Sequence, residues 1–240
     1  GHESAAIAAP ALEWFLAEGA TGPFFDLFLL FANPNPTAAQ VRVTYLLEDG
    51  RTFSREITVT ANSRQNIWVD EEEAFARGAG PGELGVSTRV QVLNGVPIIV
   101  ERAMWWPGDF PQWYEAHNSP GSTVTGTLWG LAEGAALGAP SFTSCYILVA
   151  NPSSQDANVE VTLLFEGLAP VTRTFTVGRT SRKTIDVGFE FPEALGREFG
   201  ALVESKPVGA EPPAQIAVER AIYNNALGAF WAAGNNALAT

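Results

Sequence analysis

The chain has 240 residues, 46% hydrophobic and 17% charged, which is enough apolar material for one or two folded domains and too much for a disordered tail. Its 26 acidic residues against 14 basic ones give a net charge of −12, and Lys183 and Lys206 are its only lysines, which argues against nucleic acid or anionic lipid as a partner because both require clustered cations. No apolar run reaches the ~18 residues of a membrane span, and a lone cysteine, Cys145, excludes an internal disulfide and a cysteine-based metal cluster.

The opening stretch, residues 4–16, is small, apolar and extended in character, and it lacks the basic start of a signal peptide. Short segments rich in β-branched and aromatic residues then predict strands near 13–17, 24–32, 39–48, 52–60, 64–69, 85–93 and 97–105. Val41, Val43, Tyr45 and Leu47 share one face by the two-residue period of a strand, and Glu48-Asp-Gly50 turns the chain back as a hairpin. A helix through 24–32 is ruled out by Asn33-Pro-Asn-Pro36, which forces an extended or turn conformation. Residues 70–77 and 191–197 read as one or two helical turns each. Cys145 reads as a buried strand residue.

The second part of the chain repeats the first. Trp14-Phe-Leu-Ala-Glu-Gly-Ala20 recurs as Trp129-Gly-Leu-Ala-Glu-Gly-Ala135, an offset of 115, and further on the offset becomes 118: Asn33-Pro34 and Asn151-Pro152, Val41-Arg-Val-Thr44 and Val159-Glu-Val-Thr162, Ser63-Arg64 and Ser181-Arg182, Val100-Glu-Arg-Ala103 and Val218-Glu-Arg-Ala221. Two domains follow, residues 1–119 and 120–240, joined by the turn-rich run 118–122. About seven short strands per half is the count of an immunoglobulin-like or fibronectin-III-like β-sandwich, with a jelly-roll order left open. The expected fold is therefore all-β, two tandem Ig-like sandwiches related by internal duplication.

Glu101-Arg102 and Glu219-Arg220 fall inside the most apolar strands. Neighbours on a strand point to opposite faces, so only one of each pair can enter a given core, and an inward charge needs a partner. Glu18 and Glu133, from the repeated Ala-Glu-Gly, are expected to pair with Arg102 and Arg220 as structural ion pairs. Residues 70–73 are the densest acidic run, but the second copy lacks it, so a solvated helix start is preferred to a calcium site. His2 and His117 hold equivalent positions without a second ligand nearby. No catalytic or metal motif is present, and neither a catalytic residue, a metal site nor a cofactor is expected.

The aromatics Trp105, Trp106, Trp113 and Tyr114, with Tyr223 and Trp231 at the matching end of the second half, are candidates for an interface or for stacking on sugar rings. Trp105 and Trp106 are adjacent, so one of them should lie outside the core. The loop 107–113 is a candidate cover for the end of the first half. Residues 1–12, with Ile7 and Leu12, read as an arm able to pair with a neighbour's sheet edge.

The series Trp-x-Leu-Ala-Glu-Gly, Asn-Pro, Val-x-Val-Thr, Ser-Arg and Val-Glu-Arg-Ala-Met-Trp resembles a repeat of large secreted or surface proteins of bacteria, from Trp14 to Trp106 and again from Trp129 to Tyr223, where Ile222-Tyr223-Asn224 departs from the pattern. The resemblance implies tandem β-sandwich modules in an extracellular setting and no catalytic residues. The expected role is a non-enzymatic structural module of the cell exterior, a spacer, adhesin stalk or filament subunit, whose partners are copies of itself or neighbouring repeats. The alternatives are a carbohydrate-binding module using the tryptophan clusters and a glycoside hydrolase using paired acids such as Glu18 and Glu101.

Overall fold

The structure, a computed structural model, describes residues 6–76, 84–107, 113–139, 142–226 and 229–240. The first half contains β1 (Glu13–Leu16), β2 (Ala20–Thr21), β3 (Asp26–Asn33), β4 (Ala39–Leu47), β5 (Thr52–Val59), β6 (Ser63–Trp68), α1 (Glu73–Ala76), β7 (Leu84–Val92), β8 (Ile99–Trp106) and β9 (Glu115–Pro120). The second contains β10 (Leu128–Ala136), β11 (Thr143–Asn151), β12 (Ala157–Leu164), β13 (Val171–Val177), β14 (Ser181–Asp186), α2 (Val187–Glu190), β15 (Arg197–Lys206), β16 (Ala217–Ala226) and β17 (Ala229–Leu238). At 63% strand and 6% helix the chain is all-β. The helical stretch expected at 70–77 is a 3-10 turn, Val69–Glu71, followed by the single turn α1; residue 77 lies outside the described residues. Its counterpart comes earlier than expected, as α2, and 191–197 holds only the 3-10 turn Pro192–Ala194, where the proline sits at the start.

The strands form four small sheets, here called blades: I, in the order β6-β3-β8-β9; II, β1-β7-β4-β5 with β2 beside β7; III, β14-β11-β16-β17; and IV, β10-β15-β12-β13. This corrects the expected fold. The architecture is that of a four-bladed β-propeller with small blades, and not two Ig-like sandwich domains. Nor are the halves separate modules in tandem. One apolar core joins Leu29, Val43 and Val100 of blades I and II with Leu148, Ala150, Ala217, Ala221 and Tyr223 of blade III. The opposite side of blade III supplies Cys145, Ile147, Val149 and Val218 to a second core shared with blade IV. Blade I thus faces II, II faces III and III faces IV, the edge strands β9 of blade I and β17 of blade III meet as well, and among the described residues neither core joins blade I to blade IV, so the ring of blades is open there.

Blade III is buried on both faces, and β16 shows the effect: Ala217 through Tyr223 are all buried. Among the strands of blade II, β4 keeps strict alternation up to Val43 and then loses it, with Tyr45, Leu46 and Leu47 all buried. Tyr45 faces blade I's side, while Leu46 turns toward blade III. Phe15, Leu46 and Leu148 keep 6%, 2% and 4% of their surface.

Two pairs of polar anchors hold the strands in place. Trp14 Nε1 donates to the Ile98 carbonyl at 3.1 Å, and Trp129 Nε1 donates to Ile216 at the same distance. The buried amide of Asn33 donates to the carbonyls of Thr37, Val59 and Thr60, and that of Asn151 to Gln155, Val177 and Gly178. The Asn-Pro motifs thus do more than end a strand: each asparagine side chain ties three backbone carbonyls together.

Candidate functional site

Blade II's edge is interrupted between β1 and β2 by Ala17-Glu18-Gly19. A Cβ at Gly19 would lie 2.4 Å from the Val86 carbonyl oxygen, so glycine is what lets the chain pass this close to β7. The interruption opens a gap through which three blades exchange charged groups. Arg102 reaches it from β8 with no exposed surface, Glu18 from the gap itself, and Glu219 from β16. Arg102 Nη2 donates to Glu18 Oε2 at 2.7 Å and to Ser119 Oγ at 2.9 Å. Its Nη1 donates to the Glu18 carbonyl at 2.6 Å and to Glu219 Oε2 at 2.8 Å. The other Glu219 oxygen accepts from the Ala17 amide at 2.8 Å, and the Tyr223 hydroxyl donates to Glu18 Oε1 at 3.0 Å. His117 Nε2 stands 3.4 Å from the same oxygen.

Two buried carboxylates share one bidentate guanidinium. The second positive charge is Arg182, 2% exposed, whose Nε donates to Ser87 Oγ at 3.0 Å and whose Nη1 donates to Thr184 Oγ1 at 2.8 Å. Ser87 Oγ in turn donates to the Ala17 carbonyl. Burial would raise the Glu18 carboxyl, but the facing His117 and Arg102 and the hydrogen bonds to it more than offset that and hold it at about 2. For Glu219 burial dominates, with the neighbouring Glu18 charge acting the same way, and Arg102 only partly compensates, so its carboxyl is pushed up. Burial pulls Arg182 down to about 10, still protonated at neutral pH.

Beside this cluster lies a cleft of about 200 Å³ between blades II and III, lined among others by Glu18, Gly85, Tyr146, Arg182, Tyr223 and Trp231. Glu18, the acid that lines it, accepts from Arg102 and from the Tyr223 hydroxyl. Among the described residues no group of three or more His, Cys, Asp or Glu side chains could hold a metal ion.

The structure brings Glu18 to Arg102, and Glu133 to Arg220 at 2.8 Å; Arg220 also donates to Asn235 Oδ1. The two pairs differ in setting, since the Glu133 side chain is 71% exposed where Glu18 is 4%. Glu219 and Arg220 point to opposite faces, as neighbours on a strand must, and both are buried because blade III has a core on each side. Glu101 lies on the outer face of blade I, away from Arg102, and Glu18 is buried against that arginine, so these two acids do not face each other across a cleft.

Trp106 is buried and donates to the Trp231 carbonyl at 2.6 Å, while Trp105 keeps 36% of its surface and lies 5.3 Å from the ring of Trp113. Trp113 and Trp68 both donate to the Asp26 carboxylate. Tyr114 is half exposed with its hydroxyl 3.4 Å from the Phe230 carbonyl, and Tyr223 stacks on Trp231 at 4.6 Å. Ile7 packs on the first core of its own chain, and Leu12, half exposed, accepts from the Val92 amide at 2.8 Å. Asp70 fastens the turn after β2, accepting from Thr21 Oγ1 and from the amides of Gly22 and Leu27. Cys145 is a free, buried thiol, pushed up to about 12 by that burial. His2 and residues 108–112 of the expected cover lie outside the described residues.

Sequence reasoning missed Glu219, Arg182 and Ser119 as members of the cluster. The available signal was β16 itself, where an acid and a base sit side by side in a run that is otherwise apolar at every position, as a strand buried on both faces requires.

No family model matches the chain, and no curated protein matches it. Among solved structures it is similar to Thermotoga maritima 1070, at 16% identity and a TM-score of 0.39, over 47% of this chain and 94% of that one. It is also similar to the Anabaena sensory rhodopsin transducer, at 19% identity and a TM-score of 0.33, over 40% and 97%. A third likeness is to red sea bream transglutaminase, at 12% identity and a TM-score of 0.19, over 92% and 30%. These likenesses are too distant to carry a function across. Among the described residues no helix is long and apolar enough to cross a membrane.

Proposed function

We propose that this chain is a non-enzymatic structural module of the cell exterior, a rigid subunit of a stalk or filament. The observation that carries the reading is the buried cluster of Arg102, Glu18 and Glu219, whose charges join the two halves of the chain to one another. A body locked in this way transmits orientation from one end to the other, which a spacer needs and a flexible linker does not provide. The test is protease shaving and antibody labelling of intact source cells. Labelling at the surface and release of the chain are expected, and a chain found only inside the cell overturns the reading.

One observation favours a second reading, a carbohydrate-binding module. Trp105 and Trp113 lie near the outer face of blade I with their rings 5.3 Å apart, a surface on which a sugar ring could stack. A tryptophan-emission titration with polysaccharides separates the two, since stacking shifts the emission and a spacer leaves it unchanged.

A further inference from the structure

The contact between blades II and III is written twice in the chain and made once within it. Residues of blade III that face blade II have counterparts 118 positions earlier on the outer face of blade I. Ala150 beside Arg182 corresponds to Ala32 beside Arg64, Leu148 beside Glu219 to Leu30 beside Glu101, and Tyr146 beside Ala221 to Phe28 beside Ala103. The arginines even share a local hold: Arg64 donates to Asn66 Oδ1 at 2.7 Å as Arg182 donates to Thr184 Oγ1 at 2.8 Å. Yet Arg182 is buried between blades and Arg64 is exposed.

The opposite surface is duplicated too. On blade II, Leu46 pairs with Ser87 and Thr44 with Arg89; on blade IV, Leu164 pairs with Gly200 and Thr162 with Leu202. Leu46 is 2% exposed under blade III, whereas Leu164 is 40% and Leu202 42% exposed. Where blade II receives Arg182 against Gly85 and Ser87, blade IV has an open cleft of about 330 Å³ lined by Glu198 and Gly200, the counterparts of Gly85 and Ser87, together with Glu133 and Glu166. An acidic cleft at one end and an exposed arginine at the other are complementary in charge.

We propose that the outer face of blade I docks on the outer face of blade IV of a second copy of this chain, repeating the II–III contact between molecules. This rests on the reading of the chain as an assembly subunit and names its partner and its surfaces. Arg64 of the incoming copy enters the cleft among Glu133, Glu166 and Glu198. Glu101 of that copy takes the place that Glu219 has at Arg102, approaching Arg220 through the irregularity between Leu131 and Gly134, as Glu219 approaches through Ala17-Glu18-Gly19. The two faces differ, so the contact is head to tail and propagates from copy to copy, as an open stack unless the rotation per copy closes a ring.

Sedimentation velocity of the full chain over a concentration series tests this. The wild type is expected to grow in mass with concentration. Arg64→Glu, which spoils the blade I face, and Leu202→Glu, which spoils the blade IV face, should each raise the assembly midpoint at least about 30-fold, the effect of losing one interface hot spot. Mixed together, they should form a dimer and stop there, because one intact face of each kind remains. Both positions are exposed, so melting temperatures should match the wild type; the pair Glu101→Arg and Leu164→Arg repeats the test on independent positions. A wild type that stays monomeric at every concentration, or mixtures of both pairs that fail to dimerise, overturns the proposal. A monomer on labelled cells sinks only the stacking, and stacking by a chain confined inside the cell sinks only the proposed role.

Discussion

Arg102 and Glu219 lie 117 residues apart in the chain and 2.8 Å apart in the fold, joined across the boundary between its two halves. Replacing Arg102 by Met leaves Glu18 and Glu219 buried without their cation. Breaking a buried pair in this way costs about 3–5 kcal/mol, to be read from urea unfolding. Arg220→Met should cost only about 1 kcal/mol, because its carboxylate partner Glu133 is mostly in water and can rehydrate. Equal losses in the two variants would contradict the difference in burial.

The acid limb of stability follows from Glu18. Its folded value of about 2 lies below the ordinary 4.5, so its contribution is fully present above the ordinary value and is lost as the pH falls from there toward 2. Glu219, pushed the other way, takes up its proton earlier and works against stability above its ordinary value. Chemical unfolding at stepped pH should therefore show a declining stability in this window that Glu18→Gln flattens. Glu219→Gln should be the milder of the two at neutral pH, since it removes a carboxylate whose charge burial opposes.

Gly85 is the floor under Arg182. A Cβ there would sit 1.6 Å from Arg182 Nη1, so the guanidinium has to move and give up its bonds to Ser87 and Thr184. Gly85→Ala is expected to cost about 1–3 kcal/mol, the usual range for overpacking, measurable as a fall in melting temperature. Arg182→Met in the same background should recover part of it, and an unaltered melting temperature in Gly85→Ala would show that the floor has slack.

A core shared by three blades predicts unfolding as one unit. Calorimetry should give a single transition with calorimetric and van't Hoff enthalpies equal. Two resolved transitions would mean that the halves melt separately and that the II–III contact adds little.

The strand positions were legible from alternation and from turn residues: β4 and β5 lie within a residue of the expected 39–48 and 52–60. The partners Glu18–Arg102 and Glu133–Arg220 were legible because a charge in an apolar strand must be answered nearby. The blade stacking was not. Leu148, Ala150 and Ala221 are covered by blade II, and their counterparts Leu30, Ala32 and Ala103 lie on an outer face, yet the two sets are the same residue types. Burial of such a face depends on what arrives over it, which single-strand patterns do not encode. Glu219 as a partner of Arg102 was hidden for the same reason: it reaches the arginine from another blade, and two separate domains gave it no route there.

Double-sided burial of β16 has a consequence for the fidelity of folding. Glu219 and Arg220 point into two separate interiors, each containing a group of the opposite sign. Slipping the strand by a single residue would turn Glu219 to the face of Glu133 and Arg220 to the face of Arg102, so that each loses its partner. Mispaired β16 is thereby penalised twice over, and two adjacent letters of the chain act as a key that only one alignment can turn.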